Sequence, residues 1–198
     1  MAMNSREHIL SEIRKLKLPK SELFGIPIFG IEGDLLDSFK QAILSNKGEV
    51  ISEDELIDSL QSGGYINIYT PLDQYATYSN CDLPEDPHDF RNLDLAVVRG
   101  HFGVAENGAI WLDDTVLAHR VLPFITEHLI IVLDQKSIVS NMHEAYSRIG
   151  QEYSGFGVFI AGPSKTADIE QSLVIGAHGA KSLRVVMLGK EKEKGILT

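Results

Sequence analysis

The stretch Phe159-Ile-Ala-Gly-Pro-Ser-Lys-Thr-Ala-Asp-Ile-Glu170, followed by Gly176-Ala-His-Gly179, decides how this chain is interpreted. An apolar run stops at a Gly-Pro pair, and hydroxyl, basic and acidic residues precede a second apolar segment. This order is typical of a strand that leads through a polar loop into a helix. It predicts a helix over 168–176 that begins near Thr166, at the carboxyl end of a strand. Open parallel sheets bind their ligands at that edge.

The start of such a helix favours an anion. Its unpaired backbone N–H groups and positive dipole end, together with Lys165, can bind a phosphate or a carboxylate. Ser164 and Thr166 can cap the helix, and Asp168 lies beside the predicted anion site. A well-capped helix start with nothing bound is the alternative, and the spacing alone leaves both open.

The segment Gly176-Ala-His178-Gly179 adds a second group of candidates. Glycines on both sides of His178 would bring the backbone and the imidazole close to a ligand. Alternatively, Gly176 ends the helix and His178 is an ordinary loop histidine.

A third candidate is Glu106, which lies in an otherwise small and apolar stretch, 102–111. One interpretation makes it a nucleophile or base in a pocket that shifts its pKa, beside Asn107 and Gly108. The other makes Asn107-Gly108 the turn of a β-hairpin with Glu106 exposed on it. Local chemistry does not separate the two.

The composition limits the possible partners and compartments. The 198 residues carry a net charge of -10, which disfavours phosphate backbones and therefore nucleic acid. A single cysteine, Cys81, allows no internal disulfide and no cysteine-ligated cluster, as expected in a reducing cytoplasm. The polar first residues do not resemble a signal peptide, and no apolar run is long enough to span a membrane.

Strands that alternate with helices predict a single α/β domain with a mostly parallel sheet. We expect an N-terminal helical segment packed on the domain over 1–48, the α/β domain over 49–190, and a frayed tail over 191–198. The predicted strands are 65–69, 93–99, a hairpin within 104–112, 128–133, 137–139, 156–161 and 183–188. The sequence Ser52-Glu-Asp-Glu55 predicts a capping box that opens a helix.

The motif from Gly162 to Glu170, with Gly176-Ala-His-Gly179, resembles the signature of the LUD domain, the lactate-utilisation protein C (YkgG) family. The order of Gly103-Val-Ala-Glu-Asn-Gly108, Leu122-Pro123 and His128 fits the same family. The resemblance implies a three-layer fold similar to the sugar-phosphate isomerase (NagB/RpiA) and CoA-transferase superfamily.

The resemblance also implies a function. The chain would be a subunit of a cytoplasmic system that oxidises L-lactate to pyruvate. It would bind a small anionic ligand, a carboxylate or a phosphate, and work with iron–sulfur proteins that carry the clusters, because it has no cofactor motif itself. One pocket would then contain Glu106 and His178 as catalytic candidates, with Asn107, Gly108, Gly162, Ser164, Lys165, Thr166, Asp168 and Gly179 as ligand-binding candidates.

Two departures from the family pattern leave other functions open. The family usually has Glu-Thr-Gly followed by a small hydroxyl residue where this chain has Glu106-Asn107-Gly108-Ala109, and His-Gly-Pro where it has His178-Gly179-Ala180. Glu-Asn-Gly is similar to the sequence at the nucleophilic glutamate of class I CoA-transferases, so an enzyme with Glu106 as nucleophile is one alternative. A non-catalytic assembly or regulatory module, with the acidic surface and loop 70–92 as contacts, is another.

Overall fold

A computed structural model of the chain describes residues 4–16, 33–84, 86, 90, 92–150, 155–167, 173–176 and 179–189. Two helices come first, α1 (Ser5–Lys15) and α2 (Leu35–Ser45). Asn4 and Glu7 form a capping box at the start of α1, as its polar N-terminal sequence favours. No residue of α1 is buried, whereas α2 buries Phe39 and Ile43. The second helix therefore packs its apolar face into the core of the domain.

Five parallel strands form the central sheet, in the order β1 (Glu49–Ile51), β11 (Ser182–Leu188), β6 (His128–Asp134), β3 (Leu95–Arg99) and β2 (Ile68–Tyr69). All four strand pairs are parallel. The run from Leu129 to Leu133 is buried throughout, because a central parallel strand is covered on both faces. The predicted α/β fold with a mostly parallel sheet is confirmed.

One face of this sheet is covered by α3 (Glu53–Gln61). The predicted capping box is present, since Ser52 and Glu55 each accept a hydrogen bond from the other's backbone N–H. Leu56 and Leu60 pack with Val97 and other sheet residues in one core cluster. A 3-10 helix (Asp73–Tyr78) within the predicted long loop adds the buried Tyr75 to the same cluster.

A second sheet covers the opposite face. Its order is β7 (Ile138–Val139), β4 (Phe102–Val104), β5 (Ile110–Asp113) and β8 (Gly157–Ile160). The antiparallel β4–β5 pair is the hairpin that Asn107-Gly108 predicts. The outer side of this sheet is covered by α5 (Met142–Ile149), and the short α4 (Leu122–Ile125) precedes β6. The second sheet thus forms a layer of its own between the central sheet and α5.

Where the structure describes it, the predicted helix over 168–176 is wrong, because Leu173–Ile175 is a strand; residues 168–172 lie outside the described residues. Lys165–Ala167 (β9) and Leu173–Ile175 (β10) form an antiparallel pair, which the hydrogen bond from Gly176 N–H to the Ser164 carbonyl continues. Consecutive β-branched residues in Leu173-Val-Ile175 favour a strand. Small hydroxyl and acidic residues serve in turns as well as in helix caps, so the local pattern could not separate them.

The loop formed by residues 161–164 also lies at a different edge of the central sheet from the one predicted. β8 pairs with β5 in the second sheet, so residues 161–164 do not follow a strand of the parallel sheet. The loop instead reaches the amino ends of β6 and β11, where Ser164 N–H donates to the Ala180 carbonyl at 2.9 Å. The carboxyl edge of the central sheet therefore takes no part in positioning it.

Within the described ranges, no helix has the length and apolar character needed to cross a bilayer.

Candidate functional site

The two sequence segments that carry the family resemblance lie side by side. Besides the bond from Ser164 to Ala180, the Ser164 carbonyl accepts from Gly176 N–H at 3.0 Å. Gly179 faces Ser164 so closely that a Cβ at position 179 would lie 3.0 Å from the Ser164 Cβ. The structure therefore brings Gly162, Ser164 and Gly179 close together.

These segments border a cavity of about 220 Å³ between the two sheets, which we term the signature cavity. Of its described lining residues, Ser164 is the one with a polar side chain. The lining residues are Pro123, Phe124, Leu129, Phe159, Ile160, Ala161, Gly162, Ser164, Gly179, Ala180 and Leu183.

Gly162 and the hairpin turn meet at the carboxyl end of α2. Gly162 has φ of +86°, and a Cβ there would collide with the backbone oxygen of Asn46. The Asn46 side-chain amide donates to the Asn107 carbonyl at 2.7 Å. Gly108, with φ of +69°, lies so close to α2 that a Cβ would come within 2.9 Å of the Ile43 nitrogen. Both glycines thus permit close approach of backbone to backbone.

Glu106 lies elsewhere. Its side chain is exposed on the hairpin turn and accepts a hydrogen bond from Met142 N–H at 3.0 Å. It lines an open cleft of about 400 Å³ with Asn107, Asn141, Met142 and His143. The described residues therefore place Glu106 and Ser164 in two different cavities, where the sequence suggested one.

The remaining candidates are distributed as follows. Lys165 is exposed on β9, and the backbone of Thr166 pairs with Val174. Asp168 and His178 lie outside the described residues. Two basic residues near the signature segments take part in ion pairs, Lys181 with Glu127 and Arg184 with Glu49. No described lining residue of the signature cavity is basic.

A polar cluster joins His101 to Asp113. The Asp113 carboxylate lies 2.8 Å from His101 Nε2 and accepts from the Thr115 hydroxyl at 2.5 Å. Burial alone would raise the pKa of Asp113, but the hydrogen bonds from Thr115 and His101 outweigh it and hold the pKa below its ordinary value. The partner on the adjacent strand could not be found from local sequence.

His128 forms a second polar contact across the central sheet. Its Nδ1 lies 2.7 Å from the Ser182 hydroxyl, and its ring packs edge-on against Tyr65. Burial of the ring lowers the pKa of His128. The folded protein therefore favours the neutral imidazole more than an exposed histidine would.

The redox and metal chemistry of the described residues is limited. Cys81 is a free thiol whose pKa is raised by burial and by the nearby carboxylates of Asp82 and Asp94. In the described part of the chain, no three histidine, cysteine or carboxylate side chains group closely enough to hold a metal ion.

The parallel sheet, the second sheet and the adjoining signature segments define an α/β protein of a recognisable family. The sequence model of the LUD domain family matches residues 7–188, so the chain belongs to that family. This range begins within α1 and ends with β11.

Named relatives and a solved structure agree with this assignment. Lactate utilization protein C of Bacillus pumilus is 34% identical over 90 residues, which are 42% of this chain and 38% of that protein. Lactate utilization protein C 1 of Bacillus mycoides is 30% identical over 104 residues, 50% of this chain and 44% of that protein. The matches thus span less than half of each relative.

The crystal structure of a DUF162 family protein from Deinococcus radiodurans superposes with a TM-score of 0.55 at 20% identity, over 78% of this chain and 96% of that one, and shows a shared fold.

Proposed function

We propose that this chain is a LUD-domain component of a system that oxidises L-lactate to pyruvate. The observation that carries the proposal is the family match over residues 7–188, together with relatives that are named lactate utilization protein C. In this proposal the chain binds a small anionic ligand at the signature cavity and works with iron–sulfur partner proteins.

The geometry of the signature segments supports the ligand site. The backbone of Ser164 is held on both sides, by Ala180 and by Gly176, so its side chain has a defined position at the cavity. Gly179 lies so close to Ser164 that a larger residue at position 179 would crowd the serine side chain. A pre-formed concave site with few polar groups is typical of small-molecule binding.

The cysteine content supports the part of the proposal in which a partner protein carries the iron–sulfur clusters. Iron–sulfur clusters are held by several cysteine thiolates, and these 198 residues contain one cysteine. That thiol has a raised pKa, which disfavours the thiolate that ligates metals or attacks substrates. Electrons from lactate would therefore be carried by clusters on a partner.

The alternative with Glu106 as a CoA-transferase nucleophile has less support. One carboxylate oxygen of Glu106 accepts the Met142 N–H at the start of α5, and the group is exposed rather than desolvated. Nucleophilic carboxylates need an oriented oxyanion environment around the reacting carbonyl. The described contacts of Glu106 instead resemble helix capping.

Gene deletion tests the proposal. The deletion strain should lose growth on L-lactate and lactate-dependent oxygen consumption, and the wild-type gene should restore both. We expect Ser164→Phe, which fills the cavity, to restore neither, whereas Ser147→Ala on exposed α5 should restore both. Unchanged growth and unchanged lactate oxidation after deletion would refute the proposal.

The partner is tested separately. A tagged chain isolated from lactate-grown cells should co-purify with bound iron and acid-labile sulfide in stoichiometric amounts. An eluate without iron or sulfide would exclude a stable iron–sulfur partner. The role in lactate oxidation would then still be decided by the deletion experiment.

A further inference from the structure

The described lining of the signature cavity is unevenly polar. Its apolar walls come from α4, β6, β8 and β11, with Phe124, Leu129, Phe159 and Leu183 as the large side chains. Leu129 and Leu183 are only 1% exposed, so this wall belongs to the packed sheet core. Ser164 contributes the one polar side chain of the described lining, and we term its position the polar end.

The described lysines next to the cavity in sequence also lie outside its lining. Lys165 and Lys181 directly follow lining residues in sequence, yet both side chains are exposed and neither lines the cavity. Lys181 is paired with Glu127. An anionic group can therefore lie at the polar end in contact with water, but not against the apolar walls, where an uncompensated charge is costly.

The volume indicates a ligand larger than lactate. About 220 Å³ exceeds the ~150 Å³ of an engineered apolar cavity that binds benzene. A methyl group would leave most of the apolar wall uncovered. A branched or aromatic side chain would bury it, and each buried methylene contributes about 0.8 kcal/mol.

We propose that the signature cavity binds a monocarboxylic acid with an extended apolar body, with the carboxylate near Ser164 and the body against Phe124, Leu129 and Phe159. Larger 2-hydroxy and 2-oxo acids are the class that fits, and phosphorylated ligands are disfavoured. This inference rests on the proposed function and narrows the ligand of the same site.

Titration calorimetry on the full chain tests it. The probes are lactate, 2-hydroxybutyrate, 2-hydroxyisocaproate and 3-phenyllactate, with phosphoglycolate as the phosphorylated comparison. We expect affinity to rise about fourfold for each added methylene, which is ~0.8 kcal/mol. Phosphoglycolate should bind at least tenfold more weakly than phenyllactate.

Two matched variants separate the cavity from the rest of the surface. Phe124→Ala removes a half-exposed aromatic from the cavity and should reduce the preference for phenyllactate over lactate at least fivefold. Ile66→Ala removes a more exposed large apolar side chain outside the lining and should leave that preference unchanged.

Equal affinities along the series, tighter binding of phosphoglycolate, no binding of any acid at millimolar concentration, or equal effects of the two variants would each overturn the inference. If deletion abolishes growth on lactate while the series shows no trend, the inference fails and the proposed function stands. If the trend appears but growth is unaffected, the proposed function fails instead.

Discussion

The carboxylate of Glu106 accepts a hydrogen bond from the backbone N–H of Met142, with 3.0 Å between the two atoms. Met142 is the first residue of α5, whose N-cap is Asn141. The backbone N–H of Glu106 also donates to the Ser140 carbonyl at 3.0 Å. One residue of the β4–β5 turn is thus bound twice to the start of α5, so the hairpin and the helix are positioned together.

Glu106→Gln should lower the free energy of unfolding by about 0.3–1 kcal/mol, because it removes a negative charge from a helix N-terminus. The amide oxygen can still accept the Met142 N–H, so the loss should be small. Urea denaturation of the purified variant measures it. We expect Glu12→Gln on exposed α1 to change the stability less.

The same variant tests whether Glu106 is a nucleophile or only a helix-capping residue. A capping glutamate predicts that Glu106→Gln still supports growth on lactate. Loss of activity in a fully folded variant, or a mass shift at Glu106 after treatment with acyl-CoA and hydroxylamine, would contradict a purely structural contribution.

Gly162→Ala should destabilise the protein by more than Gly63→Ala. Both glycines have positive φ, +86° for Gly162 and +70° for Gly63. An alanine at either position would be held in the left-handed conformation, which costs about 1–2 kcal/mol. Only at position 162 would the new Cβ collide with a backbone atom, the Asn46 oxygen; the space beside Gly63 is open. Thermal unfolding of both variants measures the difference, and equal losses would show that the loop moves away from α2 at little cost.

His128 should make the protein less stable as the pH falls below about 6.5. Burial lowers the pKa of the folded-state imidazole. The positive charges of Arg184 and Lys181 lower this pKa further, whereas the negative charge of Glu127 raises it. Between the lowered pKa and the ordinary value of 6.5, the unfolded chain binds more protons, so stability decreases with falling pH. Above that window the contribution is constant.

Urea midpoints measured from pH 7.5 to 5 test this dependence. His128→Asn, which can keep a polar contact to Ser182, should show a shallower slope than the wild type. His8→Asn on exposed α1 serves as the control. Parallel slopes for all three proteins would mean that His128 does not titrate differently on folding.

Asp113→Asn should cost about 1–2 kcal/mol at pH 7, because the ionised carboxylate accepts hydrogen bonds from Thr115 and His101. The pKa of Asp113 is lowered in the folded protein, so its stabilisation is present above the ordinary value of 3.8 and is lost as pH falls through the lowered pKa. The difference between variant and wild type should therefore shrink in acid. Asp58→Asn, on the exposed side of α3, should cost less stability at pH 7.

Much of the fold could be predicted from local patterns. The buried run ending at Leu133, the capping box at Ser52 and Glu55, and the Asn107-Gly108 turn each produce the predicted element. These features depend on neighbours close in sequence. The three-residue β1 was missed, because its pairing with β11 involves residues far along the chain.

The candidate site was predictable only in part. The sequence predicted Ser164 and Gly179 in one pocket, but it placed them at opposite ends of a helix over 168–176, of which the described residues 173–175 form a strand. It also placed Glu106 with them, whereas the described residues separate the two. Residue types indicate which chemistry is available, but not which cavity each side chain lines.

The sequence by itself determined the α/β class, the LUD family and the segments that meet at the signature cavity, because periodicity, capping and short motifs are local. Only the tertiary structure decided that those segments lie between two sheets at the amino ends of β6 and β11. It also decided that Glu106 binds the start of α5 and that the cavity walls are apolar. Those outcomes depend on strand pairings between residues distant in sequence, whose free energy no local pattern reports.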